Sequence, residues 1–407
     1  MDHSSSPAQR LAPPGRNLGI DTARGLALFG MMVTHIVPFL GPGDELLPSV
    51  WFAGRSSALF AVLAGFSVVL STDRILTGSG ERRWAAASLG LVVRGLLISV
   101  IGLLLGVITS SIAVILVFYG LMFCLAPLFL RLPTLALGLL APTWMIAAPV
   151  ISMWLRRAFD LHPNYIVPTP GDLLSPGPLL TDLVLTGYYP VLPWLGYLFL
   201  GMFLARLPWR SAAAAAIAVL IGLGTAVLSK AVSSLLLTAG GRGALEAVIG
   251  PVAPFDRGSL EEALHTGSYG VTPNDSWWWL AIAGPHSATP FDLLHTSGVA
   301  VAVIGACTLA AMVLGRRSAA LSPLSAPGSM PLTIYAGHIV FLEFTALSPF
   351  SAGVDLITHI VFAIVFAIVW KLTVSPRGPL EGLVSSAVSS AREAVQRDRE
   401  AQGEPTR

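Results

Sequence analysis

Residues 84–108 read WAAASLGLVVRGLLISVIGLLLGVI, with a single charge, Arg94, in the whole stretch. As a helix rising about 1.5 Å per residue, this run is long enough to cross a hydrocarbon core of roughly 30 Å. Working outward, comparable runs recur at about 19–40, 51–72, 111–130, 134–155, 188–205, 212–238, 289–314, 330–349 and 352–374. The sequence therefore predicts an all-α polytopic membrane protein of about ten transmembrane helices. Composition agrees, since 54% of the 407 residues are hydrophobic and 11% are charged. A soluble domain carries roughly a quarter of its residues as Asp, Glu, Lys and Arg, so most of this surface must face lipid. The third and fourth spans are divided only by Thr109-Ser110-Ser111, and the sixth holds Pro190 and Pro193.

Basic residues set the orientation. With the N-terminus inside, sixteen Lys and Arg fall in cytoplasmic segments and five in the opposite ones, among them Arg156, Arg157, Lys230, Arg242 and Arg257. This positive-inside bias, with an even number of spans, places both termini in the cytoplasm of a cell carrying the protein in its cytoplasmic membrane. The expected organisation is a tail at 1–18, a membrane domain at 19–374 and a tail at 375–407, in which 380–399 suits an amphipathic helix on the inner surface. Two long outer loops, 156–187 and 239–288, have no evident regular structure. The second holds Asp256, Glu261, Glu262, His265 and the run Trp277-Trp278-Trp279. Residues 1–18 are polar and Pro-rich, and Pro42-Gly43-Asp44 follows the first run, so no cleavable signal peptide is expected. Cys124 and Cys307 sit in apolar stretches and suggest neither a disulfide nor a metal site. A net charge of +2 without a basic-aromatic patch gives no footing for nucleic acid.

Three arginines, Arg24, Arg55 and Arg94, belong to the spans themselves. Each is expensive at membrane depth, so each should face the bundle interior with a partner. On the first helix, at 100° per residue, Asp21, Arg24, Leu28 and His35 fall within about 40° of one another. Arg24 and His35 lie eleven residues apart, about 16 Å along the axis, close to the reach of an extended pantetheine arm. A cytoplasmic coenzyme A could anchor its phosphates on arginine and present its thioester to the imidazole. Elsewhere, His286 precedes a helix start with Ser287 and Thr289 as candidate N-caps. Asp292 and His295 could pair on the eighth helix. His338 and Glu343 fall on different faces of the ninth, and His359 has no evident partner. HExxH, a Cys/His cluster, a Gly-x-Ser-x-Gly elbow and a Walker loop are all absent, so no metal is expected.

Several segments resemble one family in order. Gly19-Ile20-Asp21-Thr22-Ala23-Arg24-Gly25 opens the first helix as in the catalytic domain of heparan-alpha-glucosaminide N-acetyltransferase and its YeiB-like bacterial relatives. Arg55-Ser56-Ser57-Ala58-Leu59-Phe60, Phe118-Tyr119-Gly120, Tyr189-Pro190-Val191-Leu192-Pro193-Trp194-Leu195-Gly196 and Gly378-Pro379-Leu380-Glu381 are similar to further motifs of these integral-membrane acyltransferases. The Arg24-to-His35 spacing also resembles the first-helix motif of the acyltransferase-3 family, where the histidine is the presumed base. In the heparan enzyme the position of His35 is an asparagine and the active histidine lies in the first luminal loop. Here that loop reads Gly41-Pro42-Gly43-Asp44-Glu45, so the chemistry is expected at His35, with His286 as second candidate.

The resemblance and the buried charges together imply a transmembrane O- or N-acyltransferase. It would move an acyl group, acetyl in the first instance, from cytoplasmic acetyl-CoA to an extracytoplasmic hydroxyl or amine on a sugar or envelope glycan. Arg24, Arg94, Arg82 and Arg83 would hold the donor's phosphates, and Arg55 would steady the thioester carbonyl. Asp21, Tyr119, Trp194 and Asp292 would support them, and Trp277–Trp279 would either stack on a sugar or form an interfacial belt. A transporter or flippase of a lipid-linked or small anionic substrate is the alternative. The bilayer is a partner, and a homodimer is left open.

Overall fold

The computed structural model describes residues 7–13, 15–43, 45–76, 81–109, 112–209, 211–249, 260–345 and 348–401. Asp44, Ser110, Ser111, Arg210, Asp256, Arg257 and Arg407 lie outside the described residues, as do the side chains of Glu262, Arg316, Arg397 and Arg399. Every apolar run of the sequence becomes a helix: α1 Leu18–Ile36, α2 Arg55–Leu76, α3 Glu81–Ile108, α4 Leu116–Leu125, α5 Thr134–Ala158, α6 Val191–Ala205, α7 Ala212–Leu236, α8 Pro290–Leu314, α9 Pro331–Thr345 and α10 Ala352–Thr373. An amphipathic α11, Pro379–Ala401, follows. Among the described residues β-structure is limited to one bridge between Leu40 and Leu46.

Six of these helices are long and apolar enough to cross a membrane unaided: α2 with its preceding turn, α3, α5, α7 with its extension to Ile249, α8 and α10. A seventh arises if Pro176–Thr186 and α6 count as one span, bent by 57°. The bend falls at Tyr189-Pro190, where the proline lacks the N–H a continuous helix would need. Large apolar side chains point outward along the peripheral helices, including Leu104 on α3, Leu139 on α5, Val227 on α7 and Val365 on α10. In water they would form a patch far beyond what monomers tolerate; in a bilayer they meet their own kind. This is a membrane protein.

The helix ends follow local rules. Asn17 accepts from the Ile20 N–H at the start of α1. Thr289 caps α8 by accepting from the Asp292 N–H, with Pro290 occupying the first turn where its missing donor costs nothing. Where α2 crosses α6 the backbones touch: a Cβ on Gly65 would collide with the Leu198 carbonyl, and one on Gly201 with that of Val62. That close approach pulls α2 into the interior, where Ser56 to Leu63 are all buried.

The outer loops differ from the sequence reading in having regular structure. Residues 156–187 contain Pro170–Leu174, a 3-10 turn, and Pro176–Thr186, a helix ending in a π turn. The described part of 239–288 contains Arg242–Ile249, Leu260–Thr266 and a 3-10 turn at Trp277–Ala281. These pieces are too short for hydropathy periodicity to signal, and Gly and Pro interrupt the sequence around them. The Arg156 guanidinium ties the two loops by donating to the Thr272 carbonyl at 2.7 Å.

Candidate functional site

Two cavities lie at opposite ends of α1, termed inner and outer after the orientation the basic residues predict. The inner one, ≈ 160 Å³, is walled by Arg24, Ser67, Arg94, Tyr119 and Glu381 among apolar side chains. Arg24 donates to Asp21 at 3.0 Å and to the Ser67 hydroxyl at 2.8 Å, and Asp21 is also paired with Arg16. Arg94, twelve residues into α3 from Arg82, lies 5.9 Å from the Phe123 ring centroid, with no hydrogen-bond partner among the described residues. Its guanidinium fork is therefore open to a ligand. Glu381 explains the Gly-Pro-Leu-Glu ending physically. Its carboxylate accepts from the Leu332 and Thr333 N–H groups at 2.7 and 3.1 Å and from the Thr333 hydroxyl at 2.6 Å. It thereby caps the start of α9 and docks α11 across the inner mouth, where Arg392 donates to the Ser71 carbonyl. Arg82 and Arg83 stay exposed on the first turn of α3 and do not line this cavity.

The outer cavity, ≈ 350 Å³, holds both candidate histidines, His35 and His286. Four tyrosines, Tyr165, Tyr188, Tyr189 and Tyr269, make an aromatic wall of edge-to-face rings 4.7–4.8 Å apart at successive contacts. Burial pushes the Tyr269 phenol up, so it stays a neutral donor. His286 Nε2 accepts from the Gly54 N–H at 3.2 Å, and Gly54 takes φ +70° to aim that N–H. In the neutral ring the proton then sits on Nδ1, which is buried without a partner among the described residues. Burial, with His35 nearby, pushes His286 down to about 3, which keeps it neutral. His286 is thus an unengaged donor in the cavity wall rather than a base. His286, Ala288 and Tyr165 all have positive φ; such strain clusters where the surrounding structure holds a side chain for a purpose.

Between the cavities stands a septum. Tyr119, on the inner wall, donates its hydroxyl to the carbonyl of Ser57, on the outer wall, at 3.1 Å. Phe60 stacks on Tyr119 at 5.6 Å and on Tyr335 at 6.4 Å.

Residues 16–233 match the family model of heparan-alpha-glucosaminide N-acetyltransferase, catalytic. That is more than half of the chain. The protein belongs to this family. No curated protein matches it. Membership implies a membrane-embedded acetyltransferase. The matched segment supplies Arg24, His35, Gly54, Arg94, Tyr119 and the Tyr188-Tyr189 pair, and the remainder supplies His286, Tyr269 and Glu381.

Other expected residues of this family member are placed differently. Arg55 donates from Nε to His295 Nε2 at 3.1 Å and from Nη1 to the carbonyls of Val50 and Trp51. His295 in turn donates from Nδ1 to the Ala226 carbonyl at 3.0 Å. Arg55 is thus held by protein groups outside both cavities, and the expected Asp292–His295 pair does not form. Asp292 instead accepts from the Ala288 N–H at 3.1 Å. Trp194 is buried and packs on Tyr189 and Tyr197, behind the tyrosine wall. Trp277 and Trp278 are exposed, the former under Arg157, and neither lines the outer cavity; Trp279 is buried. Sequence reasoning missed the tyrosines because three separate segments supply them. The Tyr188-Tyr189 dipeptide beside the Pro-Trp-Leu-Gly motif was the available signal.

Proposed function

We propose that this protein transfers an acyl group, acetyl in the first instance, from cytoplasmic acyl-CoA to a hydroxyl or amine of an extracytoplasmic sugar. The observation that carries the reading is the placement of Arg24 and His35 in two cavities on one helix, about 16 Å apart. The donor's phosphates lie at the inner mouth against Arg94 and Arg24, whose planar, always-charged forks suit them. The pantetheine arm passes the septum, and the thioester meets the acceptor at the outer cavity. There the sugar lies on the tyrosine wall, which offers ring faces and hydroxyls.

As the acceptor oxygen or nitrogen bonds to the thioester carbon, His35 takes its proton. His286 Nδ1–H donates to the carbonyl oxygen as negative charge develops. The C–S bond then breaks, and His35 returns the proton to sulfur. Purified protein given labelled acetyl-CoA and amino sugars is expected to release CoA and form acetylated sugar. Absence of both, with uptake of an anionic substrate into proteoliposomes, would replace this reading by transport.

The same proposal has ten spans with both termini in the cytoplasm, resting on the sixteen-to-five asymmetry of basic residues. Single cysteines at 41–50, 160–180 and 255–280 are expected to react with an impermeant reagent from outside, and those at 74–83, 316–328 and 385–407 only from inside. Outside labelling of 385–407 would remove the even count.

A further inference from the structure

His35 does not stand alone. Its Nδ1 lies 3.1 Å from Nε2 of His338 on α9, the two rings parallel within 7°. His338 Nδ1 lies 2.9 Å from Nδ1 of His359 on α10, and His359 Nε2 lies 3.1 Å from the Thr345 hydroxyl at the end of α9. His338 and His359 are both buried, and neither lines the outer cavity. Three imidazoles and a hydroxyl thus form one chain through three helices, and the transfer step as described uses only its first member.

Such a chain has a direction, fixed at its far end. The Thr345 hydroxyl reaches the carbonyls of Leu342 and Phe341 at 3.1 and 3.3 Å. A carbonyl only accepts, and with two of them in reach we assign the Thr345 proton there, so that its oxygen accepts from His359 Nε2–H. His359 Nδ1 then carries the lone pair and accepts from His338 Nδ1–H. His338 Nε2 is left to accept from His35 Nδ1–H. From that assignment the rest of the chain follows, with each ring neutral and each contact holding one proton. Its outcome is that His35 Nε2, the nitrogen left for the cavity, is unprotonated.

We infer that His338, His359 and Thr345 are positioning residues that lock His35 in the Nδ1–H tautomer and so make its Nε2 a base. They do so as the orienting acid of a hydrolase triad does for its histidine. This rests on the transferase reading for its chemistry, but the tautomer itself does not. When His35 Nε2 takes the acceptor's proton, the imidazolium keeps Nδ1–H bonded to His338, and chain polarisation spreads the charge. The proton leaves from Nε2 to sulfur as the C–S bond breaks, so the chain gains and loses nothing over a turnover.

The test has two arms. Nitrogen-15 histidine NMR of the full-length protein in nanodiscs, with the His35 signals assigned by their loss in His35→Gln, is expected to show Nδ1 protonated and Nε2 bare. In Thr345→Val, isosteric and lacking the hydroxyl anchor, the Nε2–H form of His35 should become populated. Kinetically, His338→Phe is expected to lower kcat on the order of 10²-fold or more at unchanged KM for acetyl-CoA. His338→Gln, whose amide oxygen can accept from Nδ1–H, should recover part of that loss. A protonated Nε2 at His35 in the unmodified protein, or a full kcat in His338→Phe, would overturn the proposal. Should His338→Phe fail to fold by thermal melting, Thr345→Val carries the decision, with unchanged tautomer and kcat counting against it. If the unmodified protein transfers no acetyl group, the transferase reading falls while the tautomer measurement still judges the chain.

Discussion

Replacing His35 by alanine is expected to lower acetyl transfer on the order of 10²–10⁴-fold, the contribution of a positioned general base, while acetyl-CoA binds as before. Binding should survive because the proposed phosphate site, Arg24 and Arg94, lines a separate cavity at the other end of α1. The comparison that matters is His286→Ala under the same conditions. His286 has its Nε2 engaged by the Gly54 N–H and an Nδ1–H without a partner among the described residues, so its loss should remove the proposed donor to the developing oxyanion, on the order of 10²–10³-fold in kcat. Both variants should therefore be slow, and His35→Gln should be as slow as His35→Ala. A His35→Ala enzyme with full activity beside an inactive His286→Ala would move the base to the outer loop.

The second large effect concerns the donor. Arg94→Ala is expected to weaken acetyl-CoA binding by roughly 10- to 100-fold, the worth of charge-assisted hydrogen bonds at about 1.5–3 kcal/mol, with little change in thermal stability. The protein makes no hydrogen bond of its own to that guanidinium among the described residues, so removing it orphans nothing. Arg24→Ala should lose binding as well, and stability with it. Asp21 is buried, and Arg24 is one of its two cationic partners; taking it away leaves a buried carboxylate half-compensated. Arg94→Lys should recover part of the binding, since it restores charge without the fork. Titration of the purified protein with CoA, paired with melting curves, separates the two arginines. Unchanged CoA binding in Arg94→Ala would displace the phosphates from the inner cavity.

Hydropathy located all ten helical segments because a run such as 84–108 depends on nothing outside itself. The alignment of Arg24 with His35 was equally legible, being arithmetic on one helix. What the chain could not disclose alone is pairing between helices. His338 stands 303 residues from His35 and, read on its own helix, faces away from Glu343; His359 read as partnerless. They meet because α1, α9 and α10 pack side by side, and no local periodicity encodes that. Arg55 shows the opposite failure. At membrane depth it looked like a ligand-binding charge, yet His295, on a helix the sequence does not place beside it, absorbs it. Glu381 was visible as part of a motif, but its service as the cap of α9 depends on α11 folding back over the inner mouth.

The septum of Phe60, Tyr119 and Tyr335 has an electrical consequence. Were water to fill the cavities on either side, much of the voltage across the membrane would fall over a few aromatic rings. A unit charge crossing that layer against 100 mV would involve about 2.3 kcal/mol. In the proposed reaction none crosses: an acyl group goes outward, a hydrogen atom's equivalent comes inward on the sulfur, and the thioester and thiol are uncharged at the point of passage. The rings can therefore stay shut to ions throughout, and a cell could run this exchange in an energised membrane without discharging it.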